Sequence, residues 1–154
     1  MAELLSGGRG LTVERLIEQV KKKLCGQLLG TGVYRDVYVF KQYPEFVIKI
    51  ERDMSIANFT NVSEWRNYID LQNWKWFGRF LAPCEAISMD GQILIQYRVS
   101  FKEKKKYPKK IPVYFTDVKI DNFGWIGRKF VCCDYAFLLQ PPKSKKPYKK
   151  AVWR

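Results

Sequence analysis

Residues 116–122 read TDVKIDN, and far from them residues 30–37 read GTGVYRDV. The first stretch sets a carboxylate, Asp117, two positions before Lys119 and five before Asn122. At such spacing a carboxylate can accept the proton of an attacking hydroxyl and an ammonium can neutralise a moving phosphoryl group. An amide oxygen can hold a hard cation such as Mg2+. Twelve residues beyond Asn122, the apolar run VCC leads into Asp134. A short hairpin turning near Gly127 and Arg128 would return Asp134 to the side of Asn122. The second stretch, around Gly30, Thr31 and Gly32, lets backbone approach phosphate with little side chain in the way.

Working outward, the apolar spacing changes period along the chain. Val13, Leu16, Ile17, Val20 and Leu24 form a 3.6-residue stripe, so a helix is expected from Thr12, with Thr12 as N-cap and Lys21, Lys22 and Lys23 in the last turn. Residues 27–41 read as two strands about the Gly-Thr-Gly turn, and EFVIKIE (45–51) as a third. Residues 61–74 read as a helix. Residues 83–88 and 92–100 read as two strands whose Asp90-Gly91 pair signals a hairpin. FKEKKKYPKK (101–110) reads as a basic connection without an apolar face, and QPPKSKKPYKKAVWR (140–154) as an extended tail. The rings of Trp74, Trp76, Phe77 and Phe80 lie among charges, a mix that can stack on bases, but their place at a helix end assigns them to the core.

Of the 154 residues 47% are apolar and 16% aromatic, enough for one packed domain. With 28 Lys and Arg against 15 Asp and Glu, the net charge is +13, which attracts polyanions: nucleic acid, nucleotides, acidic protein surfaces or anionic lipid. No run is long and apolar enough for a membrane span or a secretory leader, so a cytoplasmic location is expected, the host cytoplasm if the chain is viral. The chain has no histidine, which removes Ser-His-Asp and Cys-His catalysis and His-based metal hydrolysis. Adjacent Cys132 and Cys133 would point to opposite faces of a strand. The four cysteines therefore read as buried thiols, not as a zinc site.

In this order the parts resemble the protein-kinase family and its small-molecule kinase relatives. Gly30, Gly32 and Val37 fall on the family's G-x-G-x-x-G-x-V turn, with Arg35 at the third glycine. FVIKI (46–50) resembles V-A-I-K. That puts Lys49 at the lysine that touches the α- and β-phosphates and makes Glu64, fifteen residues on, the carboxylate that holds it. ILIQYRV (93–99) resembles the strand entering the interlobe linker, where backbone around Gln96, Tyr97 and Arg98 would meet the adenine edge. TDVKIDN resembles the catalytic loop H-R-D-L-K-P-x-N, with Phe115 and Thr116 replacing the His and Arg, and Asp134-Tyr135-Ala136 stands where the family has D-F-G.

The resemblance implies an α+β fold: a kinase N-lobe-like antiparallel sheet of about five strands with one inserted helix, an N-terminal helix, and a small catalytic hairpin in place of the full C-lobe. It divides the chain into a loose N-terminus (1–11), a minimal domain (12–137) and a basic tail (138–154). Within the domain it sets an N-lobe (12–99), a basic linker (100–111) and a catalytic hairpin (112–137). Only seventeen residues separate Arg98 from Thr116, too few for the helical lobe that kinases place there. The implied function is ATP- and Mg2+-dependent phosphoryl transfer to a hydroxyl, on a protein substrate. Asp117 and Lys119 would be catalytic. Gly30, Thr31, Gly32, Val37, Lys49, Glu64, Gln96 and Tyr97 would bind the nucleotide, and Asn122 and Asp134 the metal. The alternative is a catalytically weak or dead kinase-like protein that inhibits or recruits an acidic protein or nucleic acid through its basic surface. Arg35, Thr116 and the D-Y-A segment favour the alternative, and the retained Asp117, Lys119, Asn122 and Asp134 favour catalysis.

Overall fold

The computed structural model describes residues 12–52, 59–74, 76–138 and 147–154; the expected loose terminus, 1–11, lies outside them. Thr12 caps helix α1 (Val13–Leu24) by accepting the Arg15 amide at 3.4 Å, and Lys21, Lys22 and Lys23 occupy its carbonyl end. Ile17, Val20 and Leu24 pack on Cys25, Ile48 and Ile50 of the sheet, whereas Leu16 stays largely in solvent. The side chain of Val13, also in the expected stripe, is outside the described residues.

Strands β1 (Cys25–Thr31), β2 (Arg35–Phe40) and β3 (Phe46–Glu51) are followed by helix α2 (Thr60–Leu71), then β4 (Cys84–Ile87) and β5 (Ile93–Tyr97). The five strands form one antiparallel sheet in the order β1-β2-β3-β5-β4. Strand β3 lies at its centre and is buried along almost its whole length, which suits the β-branched Val47, Ile48 and Ile50 on either side of Lys49. The β4–β5 connection turns at Gly91, whose φ of +74° only glycine adopts without strain. This is an α+β, kinase N-lobe-like architecture, and no helical C-lobe stands among the described residues.

A smaller module follows, made of β6 (Lys110–Pro112), β7 (Phe123–Ile126), β8 (Lys129–Cys132) and β9 (Tyr148–Lys150). The β7–β8 hairpin turns at Gly127, with φ +59°. It is fixed to the sheet module by the bond from the Ala82 amide to the Cys132 carbonyl, 2.8 Å, and by paired bonds between Ser100 and Trp125. One apolar core joins the two: Phe77, Leu81 and Leu94 on one side meet Phe115, Phe123, Val131 and Tyr135 on the other.

Two segments depart from their compositional reading. The basic connection carries an apolar face after all. Tyr107 is buried, its hydroxyl donating to the Phe123 carbonyl at 3.1 Å, and Ile111 is buried in β6. The end of the expected tail is a structural strand: β9 pairs antiparallel with β6, and Trp153 packs edge-on against Tyr107, Phe123 and Phe130. The lysines that mark these stretches as solvated alternate with rings that fill the core, and composition averages the two. The remainder of that tail, residues 139–146, lies outside the described residues.

Candidate functional site

Strand β3 delivers Lys49 to the sheet face that helix α2 covers, and α2 delivers Glu64 opposite it. The Lys49 ammonium donates to Glu64 Oε2 at 3.0 Å and Oε1 at 3.2 Å, and to the Cys133 carbonyl. Glu64 is fully buried and also accepts from the Tyr135 amide at 3.2 Å and from Arg35. Burial alone would push the Glu64 carboxyl up. The charges of Arg35 and Lys49 outweigh it and hold the group below its ordinary value of 4.5.

The loop at 116–122 is shaped by a 3-10 turn at Ile120–Asn122 and by buried Phe115 and Val118 on either side of Asp117. Asp117 accepts from Asn122 Nδ2 at 3.1 Å and pairs with Lys119 Nζ at 3.0 Å and Arg154 Nη2 at 3.2 Å. Partial burial pushes its carboxyl up. The bonds from Lys119 and Asn122, with the charges of Lys119 and Arg154, reverse that and leave it lowered. Asp117 is therefore a carboxylate at neutral pH, open to solvent and able to accept a proton.

Two clefts meet at this place. One, of about 480 Å³, is lined by Gly30, Thr31, Gly32, Val37, Val47, Lys49, Gln96, Tyr97, Asn122 and Asp134. The other, of about 410 Å³, is lined by Thr116, Asp117, Lys119, Asn122 and Asp134, with Val33, Tyr34 and Phe137 at its apolar walls. Gly32, Arg35, Asn122 and Asp134 belong to both. Eleven of the twelve site residues read from the sequence thus line these two clefts, with Glu64 behind them.

Asn122 and Asp134 are hard oxygen donors of the kind Mg2+ takes alongside phosphate. The Asn122 amide nitrogen is committed to Asp117, which leaves its oxygen for a cation, and the Asp134 side chain is 49% exposed. The residues present therefore fit Mg2+ bound with a nucleotide. In β5 the picture differs from the expected backbone edge. The Tyr97 amide donates to Pro83 and the Arg98 amide to Glu45, both at sheet distances, so these two donors are already used. The Gln96 side chain is buried, donating to the Tyr135 hydroxyl at 3.2 Å and to Glu64 Oε1 at 3.4 Å.

Asn61 and Arg154 escape motif reading, and Arg35 and Tyr135 enter it only as replacements of motif residues. Arg35 is 5% exposed in β2, donating to Asn61 Oδ1 at 3.0 Å and Asp134 Oδ1 at 2.9 Å besides pairing with Glu64. Asn61 sits three residues before Glu64 on the same face of α2, the one sequence signal that links it to the site. Tyr135 places its hydroxyl against the Ala82 carbonyl at 2.6 Å and Cys84 Sγ at 3.1 Å, so this tyrosine anchors the segment carrying Asp134. Burial pushes the Cys84 thiol up to about 11 and the Cys133 thiol to about 12, which leaves both inert as nucleophiles. Arg154 lies outside every motif.

No protein-family model and no curated protein matches the sequence. Among solved structures, the ternary complex of streptomycin, ATP and APH(2")-IIa is similar at a TM-score of 0.41 and 18% identity, over 62% of this chain and 31% of that one. The chain spans about a third of that protein's length, and a likeness of this extent adds no argument about function. The fold class stands on the sheet order and the inserted helix.

Proposed function

We propose that the chain is a minimal ATP-dependent phosphotransferase that moves the γ-phosphoryl group of Mg-ATP to a hydroxyl, with a protein side chain as acceptor. One observation carries this reading: the Lys49–Glu64 cleft and the Asp117–Lys119 cleft share Asn122 and Asp134 as a common wall. In-line transfer needs a donor and an acceptor on opposite sides of the moving group, with cations at the junction.

Lys49, held by Glu64, binds the phosphates. The β2 turn at Gly32 covers them, and Val37 and Val47 give the base an apolar surface. Asp117 takes the proton of the acceptor hydroxyl as its oxygen bonds to the γ-phosphorus. The bond from that phosphorus to the β,γ-bridging oxygen breaks, and ADP leaves with the electron pair. Lys119 neutralises charge on the transferring oxygens. Asn122 and Asp134 would hold Mg2+, which supplies charge neutralisation on the β- and γ-phosphates when bound.

The test is a melting-temperature titration of the chain with Mg-ATP followed by labelling from γ-32P-ATP. Binding raises the melting temperature by linkage. Asp117→Asn is expected to retain the shift and lose labelling. No shift in the unsubstituted chain would refute the reading.

A second reading, a basic binding protein, is favoured by one feature of the small module. Pairing of β6 with β9 sets Lys110 opposite Lys150 and brings Lys149 alongside, near the exposed Lys104, Lys105 and Lys106. On this reading the surface captures nucleic acid or an acidic protein, with affinity that falls steeply as salt rises. Affinity unchanged between low and physiological salt would exclude it.

A further inference from the structure

A glycine loop over phosphates needs no arginine at residue 35, yet Arg35 engages three side chains at the site. Its Nη1 meets Glu64 and Asn61, and its Nη2 meets Asp134 Oδ1 at 2.9 Å. Asn61 is itself immobilised: its amide donates to Glu51 Oε1 at 2.6 Å, and its Nδ2 to the carbonyls of Lys49 and Gln92 at 3.2 and 3.0 Å. The guanidinium cannot swing away without leaving Glu64 and Asn61, both wholly buried, short of a partner. Burial disfavours its charge, but Glu64 and Asp134 outweigh that, so the arginine stays charged. Asp134, by contrast, is half exposed and faces both clefts.

We propose that Arg35 sets how this site takes a divalent cation: pinned by Glu64 and Asn61, its guanidinium occupies Asp134, so the cation enters together with a nucleotide and not ahead of it. The inference rests on the reading of Asp134 as a metal ligand. A fixed positive charge against Asp134, one of the two residues read as ligands, repels a dication and offsets the charge of the carboxylate. Phosphate oxygens bring the missing negative charge and the missing ligands, and with them the balance turns in favour of binding. Arg35 also holds Asp134 in the cleft before any ligand arrives, tying the segment after β8 to helix α2 through Glu64. Arg35 is thus a positioning residue that sets cation affinity.

The experiment is an electron paramagnetic resonance titration with Mn2+ on the whole chain, with and without a non-hydrolysable ATP analogue. The unsubstituted protein is expected to take up Mn2+ at least about tenfold more weakly alone than with the analogue. Arg35→Gln is expected to tighten binding of Mn2+ alone by about tenfold or more, since it removes the charge while Lys49 still partners Glu64. Arg35→Lys, which keeps the charge, should stay near the unsubstituted value. Adding Asp134→Asn to Arg35→Gln should cancel the gain. Equal Mn2+ affinity with and without the analogue would overturn the proposal, as would no tightening in Arg35→Gln or a gain that survives Asp134→Asn. If Arg35→Gln does not fold, the comparison with and without the analogue in the unsubstituted protein still decides. Failure of the phosphotransferase reading shows separately, as a melting temperature that Mg-ATP leaves unmoved.

Discussion

Arg154 and Asp117, 37 residues apart in the chain, form an ion pair at 3.2 Å. Backbone sets the meeting: the Arg154 amide donates to the Val118 carbonyl at 3.2 Å, and the Arg154 carbonyl accepts from the Ile120 amide at 3.0 Å. The residue directly before Asp117 is Thr116, so the loop has no arginine of its own. A guanidinium reaches it from a distant part of the sequence, carried on the segment that follows β9.

That arrangement makes Arg154 a tuner of Asp117. Its charge is one of the forces that lower the Asp117 carboxyl against the upward push of burial. Arg154→Ala should raise that pKa, so the acidic limb of the rate profile moves to higher pH. Both partners are exposed, and the pair adds at most about 1 kcal/mol to stability, so the melting temperature should hardly change. A pH profile of kcat/KM checks the first effect. A limb that stays where it was would show that Asp117 does not control the rate.

Glu64 is expected to be the residue whose loss costs most. It is fully buried and partners both Lys49 and Arg35. Glu64→Ala leaves two buried cations facing each other and should destabilise the chain by on the order of 3–5 kcal/mol. Lys49→Met leaves Glu64 with Arg35 and should cost less, while removing the ammonium that faces the nucleotide cleft. Urea unfolding of the two variants gives the order directly. Equal losses would mean that Arg35 does not carry the pair.

The same carboxyl links stability to pH. Its native pKa lies below the ordinary 4.5, so its contribution is fully present above 4.5 and is lost as pH falls through the lowered native value. Acid unfolding should therefore steepen below pH 4.5, where the unfolded state takes up the proton first. Glu64→Gln should flatten that limb at the expense of stability at neutral pH. Melting temperatures from pH 3 to 7 are the measurement.

Much of the sheet module is legible because its signals are local. The stripe in α1, the β-branched run of β3 and the Asp90-Gly91 turn each depend on neighbours a few residues away. Lys49, Glu64, Asp117, Asn122 and Asp134 are legible for another reason: each is a chemical type whose spacing carries the argument. Arg35 was visible only as a replaced glycine, because its meaning depends on Glu64 and Asp134, 29 and 99 residues away. Tyr107 and Trp153 were hidden by their lysine neighbours. A ring flanked by charges reads as solvated until the strand pairing that buries it is known. Gln96 shows the same limit, since the buried tyrosine hydroxyl that engages it comes from Tyr135 on a different module.

Trp153 is the strongest test of the small module. It packs edge-on against Tyr107, Phe123 and Phe130, and its indole nitrogen donates to the Pro108 carbonyl at 2.9 Å. Its backbone precedes Arg154, which is bonded to the loop carrying Asp117. Trp153→Ala opens a gap among three rings and removes the donor to the partly buried Pro108 carbonyl. It should cost roughly 2–4 kcal/mol, somewhat less than a wholly buried tryptophan because the ring is partly exposed. Trp153→Phe keeps the packing and loses only the hydrogen bond, so it should cost about 1 kcal/mol. Urea unfolding measures both. Hydrogen exchange at the Ile120 and Arg154 amides should quicken in Trp153→Ala, because the segment bonded to the loop has lost its anchor. Unchanged stability and exchange would mean that residues 147–154 behave as the solvated tail their composition suggests.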